Sequence, residues 1–145
     1  MSGYFSARSE QDVSDFIFEN YNKKNPLEIV GHNSKNIGRI IQSSQTLSLG
    51  QMTGILEYFP EELYIKVLPG TSMSEIESTL KEKNQFLGFE PNDLGYIYSS
   101  KSNPGSIGGV VACNLSGPGR FKNGALRDHV LGFKAVNGSG AKIKS

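Results

Sequence analysis

The sequence is poor in the residues that build disulfide frameworks and metal centres. Cys113 is its one cysteine, His32 and His129 are its two histidines, and it has no tryptophan. A single cysteine excludes an internal disulfide and a Cys-rich metal site, and two histidines disfavour a His/Cys cage. We therefore expect no metal site, and we interpret Cys113 as a small buried residue.

Long apolar segments are missing as well. No stretch approaches the roughly 18 apolar residues of a membrane-spanning helix. Residues 1–10 lack the basic-then-apolar order of a signal peptide. We therefore expect a cytoplasmic chain in a reducing compartment. With 145 residues, 20% of them charged and 37% hydrophobic, the composition is that of an ordinary globular domain and excludes a disordered or collagen-like chain.

The sequence has little net charge, but its acidic and basic residues are unevenly distributed along the chain. The net charge of +1 argues against nucleic acid as the main partner. Residues 1–91 hold 8 basic and 12 acidic residues, whereas residues 92–145 hold 7 basic and 2 acidic residues and 10 of the 17 glycines. A basic, glycine-rich region is where backbone can approach an anionic ligand. Charge alone favours the simpler interpretation, a solvated surface with long loops.

Residues 1–90 show helices and strands in alternation. Ser9 is expected to cap a first helix, which ends by Pro26, and a second helix begins at Ser72 with a capping box to Glu75. Short strands are predicted over residues 27–30, 46–49, 54–59 and 63–68, the last two joined by a tight turn.

Small residues and turns dominate the rest of the chain. Residues 105–114 predict a tight turn that leads into a short helix. Residues 131–136 and 141–144 predict two strands joined by a hairpin turn at Asn137-Gly138-Ser139-Gly140. The chain stops inside the returning strand, and we therefore expect it to be truncated.

Common catalytic and nucleotide motifs are absent: there is no P-loop, no Gly-x-Gly-x-x-Gly after a strand, no nucleophile elbow and no His-Glu-x-x-His. Two segments remain as candidate sites. In the first, residues 31–35, Gly31 and Asn33 can adopt positive φ and turn backbone N–H groups to one side, while Ser34 and Lys35 add a hydroxyl and a charge. Such a nest suits phosphate, although taken alone an ordinary surface turn is the simpler interpretation.

The second candidate segment is residues 104–109. Gly105, Gly108 and Gly109 remove side chains from a stretch that opens a helix, where backbone donors suit an anion and the open space suits a flat ligand. A tight crossing of helix and strand would need the same small residues. Together the two segments indicate a nucleotide or dinucleotide whose diphosphate is held by two loops.

Several motifs occur in the order found in a known family. They are Pro26 to Lys35, Val67-Leu68-Pro69-Gly70-Thr71, Phe89-Glu90-Pro91, Pro104 to Asn114, Ser116-Gly117-Pro118 and Arg127 to Gly132. In this order the chain resembles FAD-binding domains of the vanillyl-alcohol oxidase and p-cresol methylhydroxylase (PCMH) type, and within them the FAD-binding E subunits of bacterial glycolate oxidases. The resemblance runs over nearly the whole chain.

The resemblance implies an α+β fold of the PCMH type with FAD between two subdomains. The first subdomain would span residues 1–90 and be complete, and the second would begin at 91 and be incomplete at 145. By position, the implied cofactor-binding residues are Gly31, His32, Asn33, Ser34, Lys35, Pro69, Gly70, Gly105, Ser106, Ile107, Gly108, Gly109, Asn114, Ser116 and Gly117. No catalytic residue is implied.

The first loop departs from the family pattern. The family commonly has Gly-Gly-Gly-Ser-Lys, and this sequence has Gly31-His32-Asn33-Ser34-Lys35. Some relatives attach FAD covalently to a loop histidine. His32 lies one residue before that position, so we interpret it as an exposed loop residue.

The resemblance implies an FAD-dependent oxidoreductase subunit of the glycolate oxidase or 2-hydroxy-acid dehydrogenase type. Its partners would be a second flavin subunit and an iron–sulfur subunit, with peripheral association at the inner membrane face through them. Two alternatives stay open: a non-catalytic docking module of such a complex, suggested by the replaced glycines, and a flavoenzyme similar to D-lactate dehydrogenase.

Overall fold

The computed structural model describes residues 3–35, 42–98 and 100–145, except for the side chain of Tyr98. The strands are β1 (Gly3–Ser6), β2 (Leu27–Val30), β3 (Gln45–Ser48), β4 (Ile55–Phe59), β5 (Tyr64–Val67), β6 (Lys134–Val136) and β7 (Lys142–Lys144). The helices are α1 (Glu10–Asn22), α2 (Met73–Lys81), α3 (Gly95–Tyr98), α4 (Ile107–Ala112), α5 (Arg120–Asn123) and α6 (Leu126–His129). The mixture of helices and strands confirms the α+β prediction.

The first layer is a three-stranded parallel sheet in the order β1-β3-β2. The central strand places Leu47 opposite Phe5 on one side and Ile29 on the other. Helix α1 covers the sheet, and its Val13 and Ile17 pack with Leu47 in the first hydrophobic core. Because β2 and β3 are parallel, their carboxyl ends lie at the same edge of the sheet.

Helix α1 begins where the sequence predicts, and the cause is local. The Ser9 hydroxyl accepts a hydrogen bond from the Asp12 N–H at 3.1 Å, and the Asp12 carboxylate accepts from the Ser9 N–H at 3.1 Å. This capping box satisfies backbone donors that the first turn of a helix leaves without partners. At α2, Ser72 accepts from the Glu75 N–H at 3.1 Å.

A second hydrophobic core lies around α2. The antiparallel pair β4–β5 is joined by a 3-10 turn, Pro60–Glu62, and packs Tyr58, Ile65 and Val67 against this core. The fully buried side chains of this second core are Met73 and Ile76 of α2, Val110 of α4 and Leu126 of α6.

Both cores draw on residues from each side of position 90. The second core joins Met73 to Val110 and Leu126, and Val136 of β6 packs against the first core. The division of the chain at residue 90 stays a prediction. Within the part of the chain that the structure describes, no helix combines the length and apolar character needed to cross a membrane.

The structure differs from the sequence-based expectations in several places, among them the short helices α3, α5 and α6, which the sequence does not predict. Strand β1 was not predicted, because four residues with an exposed Tyr4 give no clear alternation. Strand β6 begins at Lys134 rather than at residue 131. Cys113 is exposed, not buried, because it follows the last turn of the short helix α4. The hairpin turn is confirmed: the Asn137 N–H donates to the Ala141 carbonyl at 2.9 Å.

Candidate functional site

The first candidate loop, residues 31–35, follows β2 at the carboxyl edge of the parallel sheet. The Val30 carbonyl accepts from the Leu49 N–H at 2.8 Å, so the segments after β2 and β3 run together. Asn33 adopts the left-handed conformation with φ of 49°. Asparagine is one of the few residues besides glycine that adopt this conformation readily, so it can stand where the family pattern has glycine.

Gly31 is required for space rather than for positive φ. A Cβ atom added at Gly31 would collide with the Ser106 hydroxyl of the second loop. The two loops therefore approach each other so closely that a side chain at this position would require the Ser106 hydroxyl to move.

The first loop offers a run of backbone donors. Among the described residues, the N–H groups of His32, Asn33, Ser34 and Lys35 have no hydrogen-bond acceptor. Successive unpaired N–H groups around a left-handed residue form a concave site for an anion.

The second loop is held in place by the segment before α2. The Met73 N–H donates to the Gly105 carbonyl at 3.0 Å, and the Ile107 N–H donates to the Thr71 carbonyl at 2.9 Å. The Gly108 N–H donates to the Pro69 carbonyl at 2.9 Å, and a Cβ at Gly108 would lie 2.9 Å from that of Pro69. Gly108 therefore serves the tight crossing of α4 over Pro69.

These contacts decide which donors of the second loop can reach a ligand. The N–H groups of Ile107 and Gly108 are engaged within the chain, and that of Gly109 donates to the Ser106 hydroxyl at 3.4 Å. In residues 3–35, 42–98 and 100–145, no acceptor is found for the N–H groups of Gly105 and Ser106. The donors available to an anion therefore lie in the turn before α4.

Lys35 connects the two loops. Its Nζ donates to the Ser34 hydroxyl and to the Pro104 carbonyl, each at 3.1 Å. Partial burial lowers the pKa of Lys35, and the nearby Cys113 and Asp93 raise it by a smaller amount. Gly105, with φ of 83°, has no room for a Cβ beside Ser34 and the Lys35 ammonium.

Three of the predicted site residues make their contacts elsewhere. The Ser116 hydroxyl donates to the Asn114 carbonyl at 3.2 Å and accepts from the Leu126 N–H at 2.9 Å. Gly117 has φ of 69° and lies against the backbone of Glu90. These contacts anchor the segment after α4 to α6, and a role of Asn114, Ser116 and Gly117 at the cofactor stays a prediction.

The remaining predicted loop residues differ in exposure. His32 is exposed, as expected for a loop residue, and Gly70 is buried where a Cβ would lie 2.8 Å from the Met52 carbonyl oxygen. Tyr96 of α3, in the segment before Pro104, is 64% exposed.

Sequence reasoning missed Asp93. Its carboxylate accepts from the Gly95 N–H at 2.8 Å and from the Asn103 N–H at 3.0 Å, and so closes the loop before Pro104. The local signal was available, because aspartate two residues before glycine favours this kind of side-chain turn.

The arrangement fits the diphosphate of FAD. The Lys35 ammonium and the Ser34 hydroxyl lie against Gly105, which leaves no side chain there. The N–H groups of residues 32–35, Gly105 and Ser106 have no acceptor among the described residues. Donors and a positive charge suit an anion, and the missing Cβ atoms let it approach the backbone.

Comparison with known proteins gives the same result for the family. A model of the FAD binding domain matches residues 1–144. Glycolate oxidase subunit GlcE of Escherichia coli (strain K12) is 37% identical over 140 residues, which cover 93% of this chain and 38% of that protein. D-2-hydroxyglutarate dehydrogenase of Pseudomonas putida is 33% identical over 94 residues, covering 65% of this chain and 8% of that protein. The chain thus spans much less than half the length of these relatives.

Solved structures agree on the fold. Alkyldihydroxyacetonephosphate synthase matches with a TM-score of 0.76 at 18% identity, covering 98% of this chain and 28% of that one. p-Cresol methylhydroxylase with substrate bound matches with a TM-score of 0.68 at 17% identity, covering 97% of this chain and 26% of that one. These matches confirm the predicted PCMH-type fold. Since the family model covers all but one residue of the chain, the protein belongs to the FAD-binding domain family, whose cofactor is FAD.

Proposed function

We propose that residues 31–35 and 104–109 hold the diphosphate of FAD between them. The observation that carries this proposal is the Lys35 ammonium, which bonds both loops at the carboxyl edge of the parallel sheet, beside backbone N–H groups that have no acceptor among the described residues. Ligands of sheets with parallel strands commonly bind at that edge. Pro69 positions the second loop because α4 packs directly on it, and Gly70 packs against the segment of Leu49 to Met52.

The complete protein is, in this proposal, a subunit that takes part in oxidising a 2-hydroxy acid to a 2-oxo acid. The support comes from the relatives, which are named for glycolate oxidase and D-2-hydroxyglutarate dehydrogenase. FAD, when bound, supplies the two-electron redox chemistry. The described residues of this chain bind and orient the diphosphate, and we assign none of them as a catalytic acid or base.

Partner subunits belong to the same proposal. The E. coli relative is named as a subunit, and the basic residues 92–145 offer a surface that an acidic partner can meet. A second flavin subunit and an iron–sulfur subunit would complete the assembly, with peripheral membrane contact made through them. These 145 residues contain one cysteine, too few to hold an iron–sulfur cluster.

The non-catalytic docking module remains a second candidate, since His32 and Asn33 replace two glycines. The conformation of Asn33 favours the FAD site over this alternative, because the nest keeps its left-handed residue. Activity of the partner subunits in the absence of this chain would support the docking module instead.

A pair of glycine variants tests the diphosphate site in the complete gene product. Gly31→Val should abolish FAD binding, because its side chain would force the first loop away from Ser106. Gly138→Val is the matched control, since a Cβ at Gly138 has no neighbour within 4 Å. Flavin absorbance and fluorescence titration measure binding, and far-UV circular dichroism checks the fold. A Gly31→Val protein that binds FAD like the control would show that the loop is an ordinary turn.

A further inference from the structure

The Lys35 side chain joins parts of the chain that are far apart in sequence. Its Nζ lies 3.1 Å from the Ser34 hydroxyl in its own loop and 3.1 Å from the Pro104 carbonyl oxygen, 69 residues away. An ammonium group has three N–H donors, so these bonds occupy two of them. Among the described residues, Lys35 forms no ion pair with a carboxylate.

Pro104 is held from its other side as well. The Asp93 carboxylate accepts from the Asn103 N–H, at 3.0 Å to one oxygen and 3.2 Å to the other, and from the Ser102 hydroxyl at 2.8 Å. The residues directly before Pro104 are therefore fixed by Asp93, while the Pro104 carbonyl itself is fixed by Lys35.

Gly105 explains why the lysine can reach this carbonyl. A Cβ at Gly105 would occupy the space of the Lys35 ammonium, so the glycine leaves a passage for the side chain. Both acceptors of Lys35 are neutral oxygens, so the bonds position the ammonium without cancelling its charge.

We propose that Lys35 is a positioning residue, whose ammonium fastens the second loop to the first and so assembles the anion site before FAD binds. This proposal rests on the proposed FAD site and adds to it that the two loops are joined before FAD binds. The loop contact exists in the protein alone, and the third N–H of the Lys35 ammonium, which has no acceptor among the described residues, would donate to a phosphate oxygen.

The alternative role is that of a counter-charge only. In that case Lys35 would contribute to FAD affinity but not to the arrangement of the loops in the flavin-free protein. The two roles therefore differ in what happens when no flavin is present.

The test compares Lys35→Met, Lys35→Arg and the control Lys122→Met in the complete gene product. Lys122 lies on the exposed helix α5, and its replacement by methionine removes the same charge as Lys35→Met. Amide exchange is followed at Asn103 and Ile107, whose N–H groups are hydrogen-bonded on either side of Pro104–Ser106. FAD affinity is measured by fluorescence titration of the same proteins.

Without flavin, Lys35→Met should exchange these amides roughly 10- to 100-fold faster than wild type, as expected for loss of a charged hydrogen bond. It should also weaken FAD binding by a similar factor. Lys35→Arg should restore the exchange rates at least in part, and Lys122→Met should change neither quantity.

Each other outcome is informative. Wild-type exchange rates in Lys35→Met together with weaker FAD binding would overturn the positioning role and leave a counter-charge. Faster exchange in Lys35→Met, with no FAD binding even by the wild type, would support the loop contact and overturn the proposed function. If Lys35→Met does not fold, Lys35→Gln is compared in the same way, because its shorter amide cannot make both contacts.

Discussion

At the residue scale, the site depends on what individual positions leave out. Gly31 and Gly105 both lack a side chain where the other loop, or the Lys35 ammonium, passes. Asn33 shows that a glycine of the family pattern can be replaced where only positive φ is needed, since asparagine adopts it at modest cost. Missing side chains and backbone freedom are therefore separate requirements within one loop.

Ser34 allows a prediction at the same scale. Ser34→Ala removes the hydroxyl that faces both Lys35 and the proposed diphosphate. FAD binding should weaken by about 1.5–3 kcal/mol, the value of one hydrogen bond to a charged group. Titration with FAD measures this change, and Ser74→Ala on the exposed face of α2 serves as the control. An affinity equal to that of the control would remove Ser34 from the site.

At the scale of elements, local signals and long-range contacts play different parts. Helices α1 and α2 begin at serine caps and bury the apolar stripes that their sequences show. The four-residue helices α3, α5 and α6 carry too few residues for such a stripe, and the sequence did not predict them. Short elements of this kind form because their surroundings hold them.

The cap of α1 gives stability a dependence on pH. The Arg8 N–H, the Ser9 hydroxyl and the Ser9 N–H hold the pKa of Asp12 below its usual 3.8. A lowered folded-state pKa stabilises the protein above the unfolded pKa, and this contribution is lost as the pH falls through the folded value. Asp12→Asn should therefore have a lower melting temperature than wild type at neutral pH, and this difference should shrink below about pH 4.

Thermal melts from pH 7 to pH 2.5 measure this effect. Asp15→Asn on the same helix is the control, because Asp15 accepts from the Gln11 side chain and takes no part in the cap. A difference between Asp12→Asn and wild type that stays constant with pH would contradict the role of the carboxylate in the cap.

At the scale of the whole molecule, we expect strand β3 and the β6–β7 pair to differ in how well their amides are protected from hydrogen exchange. Strand β3 has a partner on each side, and its Leu47 is fully buried. The β6–β7 pair has no third strand among the described residues, and Ile143 is 47% exposed. Amide exchange should therefore be slow in β3 and much faster in β6–β7, since local opening is easiest where few buried contacts exist.

Mass spectrometry or NMR of this chain measures the exchange directly. Protection should extend into α4 and α6 near Val110 and Leu126, because these residues belong to the second core. Equal protection of β6–β7 and β3 would show that the hairpin is held by contacts other than those described.

The sequence by itself determined the long helices, the hairpin turns, the alternation of helices and strands, and the two candidate loops for a diphosphate. These features depend on periodicity, caps and turn residues within a few positions of one another, whereas FAD was predicted from the resemblance to a known family. Only the tertiary structure decided that Gly31 faces Ser106, that Lys35 binds the Pro104 carbonyl, and that the N–H groups of Ile107 and Gly108 are engaged within the chain. The physical reason is that parallel pairing of β2 with β3, and packing of α4 on Pro69, bring distant segments together. No local pattern records which backbone groups then meet.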